Sequence, residues 1–348
     1  MDSHPNNTPE NAVPPGVTEK QISDAIQKSG YPLQIVIANE LRNNGFGLTQ
    51  EWSFLDRDTF ELRTMDVHAQ KHFYDLGDQR FIRPQLDLLI ECKQSDLPYV
   101  FFKCEEGVWI ADMPCFAGLK SETIKVTSDD DPSSWNYGLI QLFGMENDEF
   151  LTTPDCSPTF SKCVRKGSDV RLSGVESYNG LVLPLIKAQQ HLFNVESPVD
   201  TAVYFDLHMI ISVGVIDAPL IVVECESEPV PKLQPWIRVV RHEHQKDIET
   251  RHDQSRRWGI DIVHKSYFST YIKEHVVPFS QRIAELALRH EHVLQSCSGF
   301  VSGMGADSWN NIEQRLKPPS SAPNFARTRA AAKTLFGRSK PQVDDTDQ

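Results

Sequence analysis

Residues 85–94 read Gln85-Leu86-Asp87-Leu88-Leu89-Ile90-Glu91-Cys92-Lys93-Gln94, and residues 63–69 read Arg63-Thr64-Met65-Asp66-Val67-His68-Ala69. Each is a short apolar run carrying isolated charges, which is how a strand buried on at least one face reads. Side chains alternate along a strand, so Asp87, Leu89, Glu91 and Lys93 share one face while Leu88, Ile90 and Cys92 take the other. If the earlier strand pairs antiparallel to the later one, Asp66 comes to lie beside Glu91. Two carboxylates and one ammonium would then share a surface, a set that suits a hard divalent cation with a positive charge next to it.

Working outward, Ile22, Ile26, Leu33, Val36, Ile37 and Leu41 recur at helical spacing across a Gly30-Tyr31-Pro32 break. They predict two helices, the second ending at Asn43-Asn44-Gly45. Strands are expected at Leu48–Leu55, Glu61–Ala69, Gln85–Gln94, Tyr99–Lys103 and Val108–Ala111. The stretch from about 112 to 178 is rich in Asp, Ser, Pro and Gly and reads as an insertion or lid with a helical piece at Ser134–Phe143. Asn179–Phe193 is expected to be helical. Ala202–Val215 and Leu220–Glu226 read as paired buried strands around Asp217-Ala218-Pro219, the second a sheet edge with its acids in water. Trp236–Arg241 and Gly259–His264 read as short strands, and Tyr267–Leu294 as a long amphipathic helix broken near Pro278. Residues 1–16 and 317–348 have the composition of disordered ends, leaving 17–316 as one domain. Helix, strands, helix and strands in that order define an α+β (α/β) fold with a central mixed β-sheet flanked by helices and with extra carboxy-terminal strands and a helix.

Composition limits the function classes. The 348 residues carry 35 Lys+Arg against 48 Asp+Glu, a formal charge of −13. The most apolar stretch, Met209–Val223, is interrupted by Asp217 and Pro219 and falls short of the ~20 residues that cross a bilayer. With no basic, apolar leader at the amino terminus, a cytoplasmic protein without membrane contact is expected. The seven cysteines contain no CxxC pair, which fits reduced thiols better than a disulfide framework or a zinc site. His242-Glu243-His244 and His290-Glu291-His292 do not extend to HExxH and read as surface histidines. Neither GxxxxGK[ST] nor a strand-led GxGxxG occurs. Positive charge collects in two places. Arg238, Arg241, Arg251, Arg256 and Arg257 interleave with Trp236 and Trp258, where they either grip a nucleic-acid backbone or pair with surface acids. The segment from Gln314 to Val343 holds seven basic residues and no acidic one.

The order helix, strand, Asp strand, Glu-x-Lys strand, helix, strand resembles the PD-(D/E)xK nuclease superfamily, whose fold is restriction-endonuclease-like. The likeness covers about Gly30 to Lys103 and Gly180 to Val215, and Glu91-Cys92-Lys93 is the chain's only Glu-x-Lys triplet. The nominal motif proline is replaced by Met65. The resemblance implies a Mg²⁺-dependent endonuclease, with Mn²⁺ as a substitute, hydrolysing phosphodiester bonds of nucleic acid and of DNA in the first place. It implies Asp66, Glu91 and the Cys92 backbone carbonyl as metal ligands and Lys93 as the group that positions water or offsets charge. It also implies Glu40 as an auxiliary acidic ligand and Gln94 as a polar assistant, with His68 and Asp87 as neighbours. The alternatives are a catalytically silent nucleic-acid- or protein-binding module of the same fold and an acidic interaction protein. A homodimer or a partner protein is compatible with each.

Overall fold

The computed structural model describes residues 3–75, 77, 79–104, 113–130, 133–225, 228–246, 253–303 and 311–321. Residues 3–16 are exposed and carry neither helix nor strand. Helix α1 (Glu19–Lys28) opens on a capping box, in which Gln21 N–H donates to Thr18 Oγ1 and Thr18 N–H to Gln21 Oε1. Gly30, in the left-handed region at φ 79°, separates it from α2 (Tyr31–Asn43), which carries Pro32 in its first turn and buries Leu33, Gln34, Ile37, Ala38 and Leu41.

Strands β1 (Gly47–Leu55), β2 (Leu62–His72) and β3 (Ile82–Gln94) follow as an antiparallel meander. Beyond β4 (Tyr99–Phe102) come β5 (Cys115–Ala117), β6 (Ile124–Ser128), β7 (Ser134–Tyr137), β8 (Asp155–Ser157), β9 (Thr159–Lys166) and β10 (Asp169–Ser173). Helix α3 (Leu183–Val195) leads into β11 (Phe205–Asp217), then β12 (Leu220–Glu224), β13 (Val230–Leu233), β14 (Trp236–Lys246) and β15 (Asp253–His264), before α4 (Val277–Arg289) and β16 (Ser298–Val301). The central sheet runs β1-β2-β3-β11-β15-β14-β8, with β5 also on β11; it is mixed, because β11 lies parallel to both β3 and β15.

Helices cover both faces. On one, Ile37 and Leu41 of α2 and Phe279 and Ile283 of α4 pack with Leu88, Ile90, Met209, Ile211 and Val213. On the other, Leu185, Ile186 and Leu192 of α3 pack with Leu89, Ile210 and Ile216. The alternation in β3 therefore places Leu88, Ile90 and Cys92 against one helical layer and Leu89 against the other, as the sequence requires. No helix among the described residues is long and apolar enough to cross a membrane.

Several expectations are corrected. β11 and β12 do not pair with each other. β3 and β11 run in parallel and both turn the same corner, where Ser95 N–H donates to the Asp217 carbonyl and Tyr99 N–H to the Pro219 carbonyl; β4 and β12 then continue as parallel partners in a second sheet, β10-β9-β4-β12-β13. β12 is thus internal, and Glu224 bonds Lys103 and Lys232; Glu226 lies outside the described residues. The segment 113–178 is built into the sheets, with β5 on β11, β8 on β14 and β9 on β4, so it is not a lid laid over the core. Ser134–Phe143 forms β7 followed by a single helical turn at Leu139–Leu142. The long carboxy-terminal helix is not broken at Pro278. Its preceding turn widens instead, Val277 N–H reaching five residues back to the Ile272 carbonyl, which makes room for a ring that cannot donate to residue 274. Leu183 N–H reaches Tyr178 ahead of Pro184 in the same way. The break falls at His290, which is buried and bonded to Glu313 at 2.9 Å, so it is not a surface histidine. Lys317 pairs with the Phe300 backbone, extending order past the expected limit; the expected strand at Val108–Ala111, Arg251 and the tail from 322 lie outside the described residues.

Candidate active site

The site begins where pairing between β2 and β3 stops. Their ladder is registered from His72↔Gln85 to Val67↔Ile90, and the next residues along are Asp66 and Glu91. There Cys92 N–H, which a continuing ladder would give to a backbone carbonyl, donates to Asp66 Oδ2 at 2.7 Å. N–H and C=O of one strand residue project to the same side, so the Cys92 carbonyl also points toward Asp66. Lys93 Nζ bonds Glu91 Oε1 at 2.5 Å, which confirms that the two side chains share a face.

Glu91 is 7% exposed, and its Oε2 is buried without a hydrogen-bond partner. An ionised carboxylate held this way is expensive. Burial, then the Asp66 charge, push its pKa up to about 7, against the opposing pull of Lys93. Burial likewise raises Asp66, moderated by the Cys92 N–H and Lys93. The pair therefore sets a buried carboxyl with one open oxygen beside a second raised carboxyl. The oxygens on offer are Asp66 Oδ1, Glu91 Oε2 and the Cys92 carbonyl. Among the described residues, no three His, Cys, Asp or Glu side chains stand as a ready-made metal-binding group. The fit therefore rests on donor chemistry and the orphaned oxygen.

Not all the expected residues join this set. Glu40 accepts from Ser269 Oγ at 2.6 Å, Lys273 Nζ at 3.1 Å and Asn44 Nδ2 at 3.1 Å, which together hold its pKa low and tie α2 to the carboxy-terminal helical segment. The reason is helical phase. The residue of α2 turned toward Asp66 is Gln34, six positions earlier, and six residues at 100° each leave Glu40 about 120° away around the axis. Gln34 Nε2 donates to the Asp66 carbonyl at 2.8 Å and to Glu51 Oε1 at 2.9 Å. The acidic charge that does act on both Asp66 and Glu91 is that of Glu51. Gln34 is legible in its spacing, three residues before Ile37 and seven before Leu41 on the buried face of the helix; Glu51 carries no local signal. Gln94 is exposed and bonds no described residue through its side chain.

His68 and Asp87 belong to a separate buried chain. Asp87 Oδ1 accepts from His68 at 2.9 Å and Gln70 at 2.8 Å, Oδ2 from His208 Nδ1 at 2.9 Å, and His208 Nε2 reaches Glu196 at 3.3 Å. Despite complete burial, these donors hold the Asp87 pKa well below the carboxylate range. His208, between two carboxylates that overcome its burial, is raised to about 9. The network ties β2, β3 and β11 to the end of α3.

The arginine cluster is largely committed elsewhere. Arg238 is fully buried and forks onto Asp261 at 2.7 and 3.0 Å, with the Phe150 and Trp236 rings against its guanidinium. Arg241 donates to the Pro158 carbonyl and stacks on Tyr178, and Arg256 pairs with Glu122 over the Phe193 ring. Arg257 is exposed. Pairing with a surface acid is found for Arg256, whose partner Glu122 is exposed; Arg238 instead pairs with the buried Asp261.

No family model, curated protein or solved structure matches this chain.

One consequence is measurable without a substrate. Between pH 4.5 and about 7 the folded protein retains a Glu91 proton that the unfolded chain has lost. Stability from this group is highest at low pH and falls as pH rises, by up to about 3 kcal/mol. Denaturant titrations of metal-free protein across this window are expected to show that decline, and Glu91→Gln is expected to flatten it. An unchanged slope in Glu91→Gln would remove Glu91 as its source.

Proposed function

We propose that this protein is a metal-dependent endonuclease of restriction-endonuclease-like architecture, hydrolysing phosphodiester bonds of nucleic acid, with DNA as the first substrate class. The observation that carries the reading is the Glu91 carboxylate, buried with one oxygen unpartnered, beside Asp66 and ion-paired to Lys93. The mixed sheet with helices on both faces, and the opening of the β2–β3 ladder at the acidic pair, support it.

Asp66, Glu91 and the Cys92 carbonyl would hold Mg²⁺ or Mn²⁺. When bound, such a cation polarises a phosphate oxygen and lowers the pKa of a ligated water. Lys93 presents positive charge to the negative charge that builds on the phosphate as the new P–O bond forms. Its pairing to Glu91 fixes where that charge sits, so little reorganisation is needed during the reaction. The Cys92 N–H orients Asp66.

Purified protein is expected to cut at least one of supercoiled DNA, linear duplex, single-stranded DNA and RNA with Mg²⁺ or Mn²⁺, and none with a chelator present. Failure to cut any of them with either metal overturns the enzymatic reading. Retained Mn²⁺ binding in that case would point to a silent binding module.

A further inference from the structure

Building on the cation-site reading, we infer that Glu51 is a third cation ligand of this centre and that Gln34 is the residue that positions it. The three carboxylates repeat one pattern. Asp66 has one oxygen held by the Cys92 N–H, Glu91 one held by Lys93, and Glu51 one held by Gln34 Nε2. The second oxygen of each has no hydrogen-bond partner among the described residues, and that of Glu91 is buried as well. The centre therefore offers one open carboxylate oxygen from each of three neighbouring strands.

The backbone supports the assignment. Gln50↔Val67 and Trp52↔Met65 are registered partners on either side, so Glu51 stands opposite Asp66. It does so at φ 50°, a left-handed conformation uncommon for a non-glycine residue. Gln34 spans Glu51 and the Asp66 carbonyl, locking the two strands at this level. Three mutually repelling carboxylates beside one lysine leave an excess of negative charge that a divalent cation balances.

The test is calorimetric titration of Mn²⁺ into the metal-free full-length protein at pH 7.5, with thermal melting of the metal-free forms alongside. Wild type is expected to bind saturably and Asp66→Asn to lose binding. Glu51→Gln is expected to bind at least ~10-fold more weakly while melting no lower than wild type, because it removes one of three like charges. Gln34→Leu is expected to weaken binding ~10-fold or more in the wild-type background and not in Glu51→Gln, since an outer group acting through a ligand has nothing to act on once the ligand is gone. Wild-type affinity in Glu51→Gln, with binding lost in Asp66→Asn, overturns the role of Glu51 and leaves the site standing. Normal affinity with a lowered melting temperature makes Glu51 a structural bridge and overturns it too. No saturable binding by wild type overturns the site and this inference together.

Discussion

Lys93→Ala is expected to reduce metal-dependent cleavage by about 10²–10³-fold under single-turnover conditions, the range found when one preorganised group facing transition-state charge is removed. Two effects act in the same direction. The positive charge facing the phosphate disappears, and Glu91 loses the partner that holds Oε1. In the metal-free protein Lys93 is the charge opposing burial and Asp66 at Glu91, so its removal raises the Glu91 pKa further, and a divalent cation has to displace that proton in order to bind. The Lys93 side chain is 33% exposed, so its truncation opens no core cavity and the melting profile should stay close to wild type. Cleavage within threefold of wild type at pH 7 would exclude Lys93 from the reaction.

Arg238→Leu is expected to destabilise the fold by about 3–5 kcal/mol, because it strands a charge inside the protein. Arg238 and Asp261 have no exposed side-chain surface; the guanidinium forks onto both carboxylate oxygens, donates to the Leu151 carbonyl at 3.2 Å and lies against the Phe150 ring. Without it, Asp261 retains Tyr271 Oη at 2.8 Å as its side-chain donor. The melting temperature should fall by roughly 6–15 °C. The double variant Arg238→Leu, Asp261→Leu should recover much of that loss, since replacing both partners removes the unpaired charge. Nucleic-acid affinity per folded molecule should not change, because Arg238 does not reach the surface. A Lys or Arg at an interface would behave in the opposite way, with normal stability and weakened binding that depends on salt.

The contrast between these two residues shows what could be read in advance. The face of Lys93 follows from alternation alone, because it is set by its distance from Glu91 along one strand, whereas its role is what the family resemblance implies. The burial of Arg238 does not follow, because a run of alternating arginines and apolar residues reads the same whether the charged face meets water or a buried aspartate on the next strand. The strands expected at Ala202–Val215 and Leu220–Glu226 form at Phe205–Asp217 and Leu220–Glu224 but do not pair with each other, since Asp217-Ala218-Pro219 permits a hairpin and also the corner into a second sheet. The resemblance implies Glu40 as the acidic ligand from α2, whereas helical phase turns Gln34 toward Asp66.

What the sequence by itself determined was periodic: the two amino-terminal helices, the β2–β3 strands, and the common face of Asp87, Leu89, Glu91 and Lys93, all consequences of 3.6- and 2-residue repeats that act within a few positions. The tertiary structure decided which strands became neighbours, that the β2–β3 ladder ends at Asp66 and Glu91, and that Glu51 and Gln34 stand there while Glu40 does not. Those outcomes depend on burial and charge between segments remote in the chain. A buried carboxylate takes its properties from whatever packing brings against it, and no local repeat encodes that.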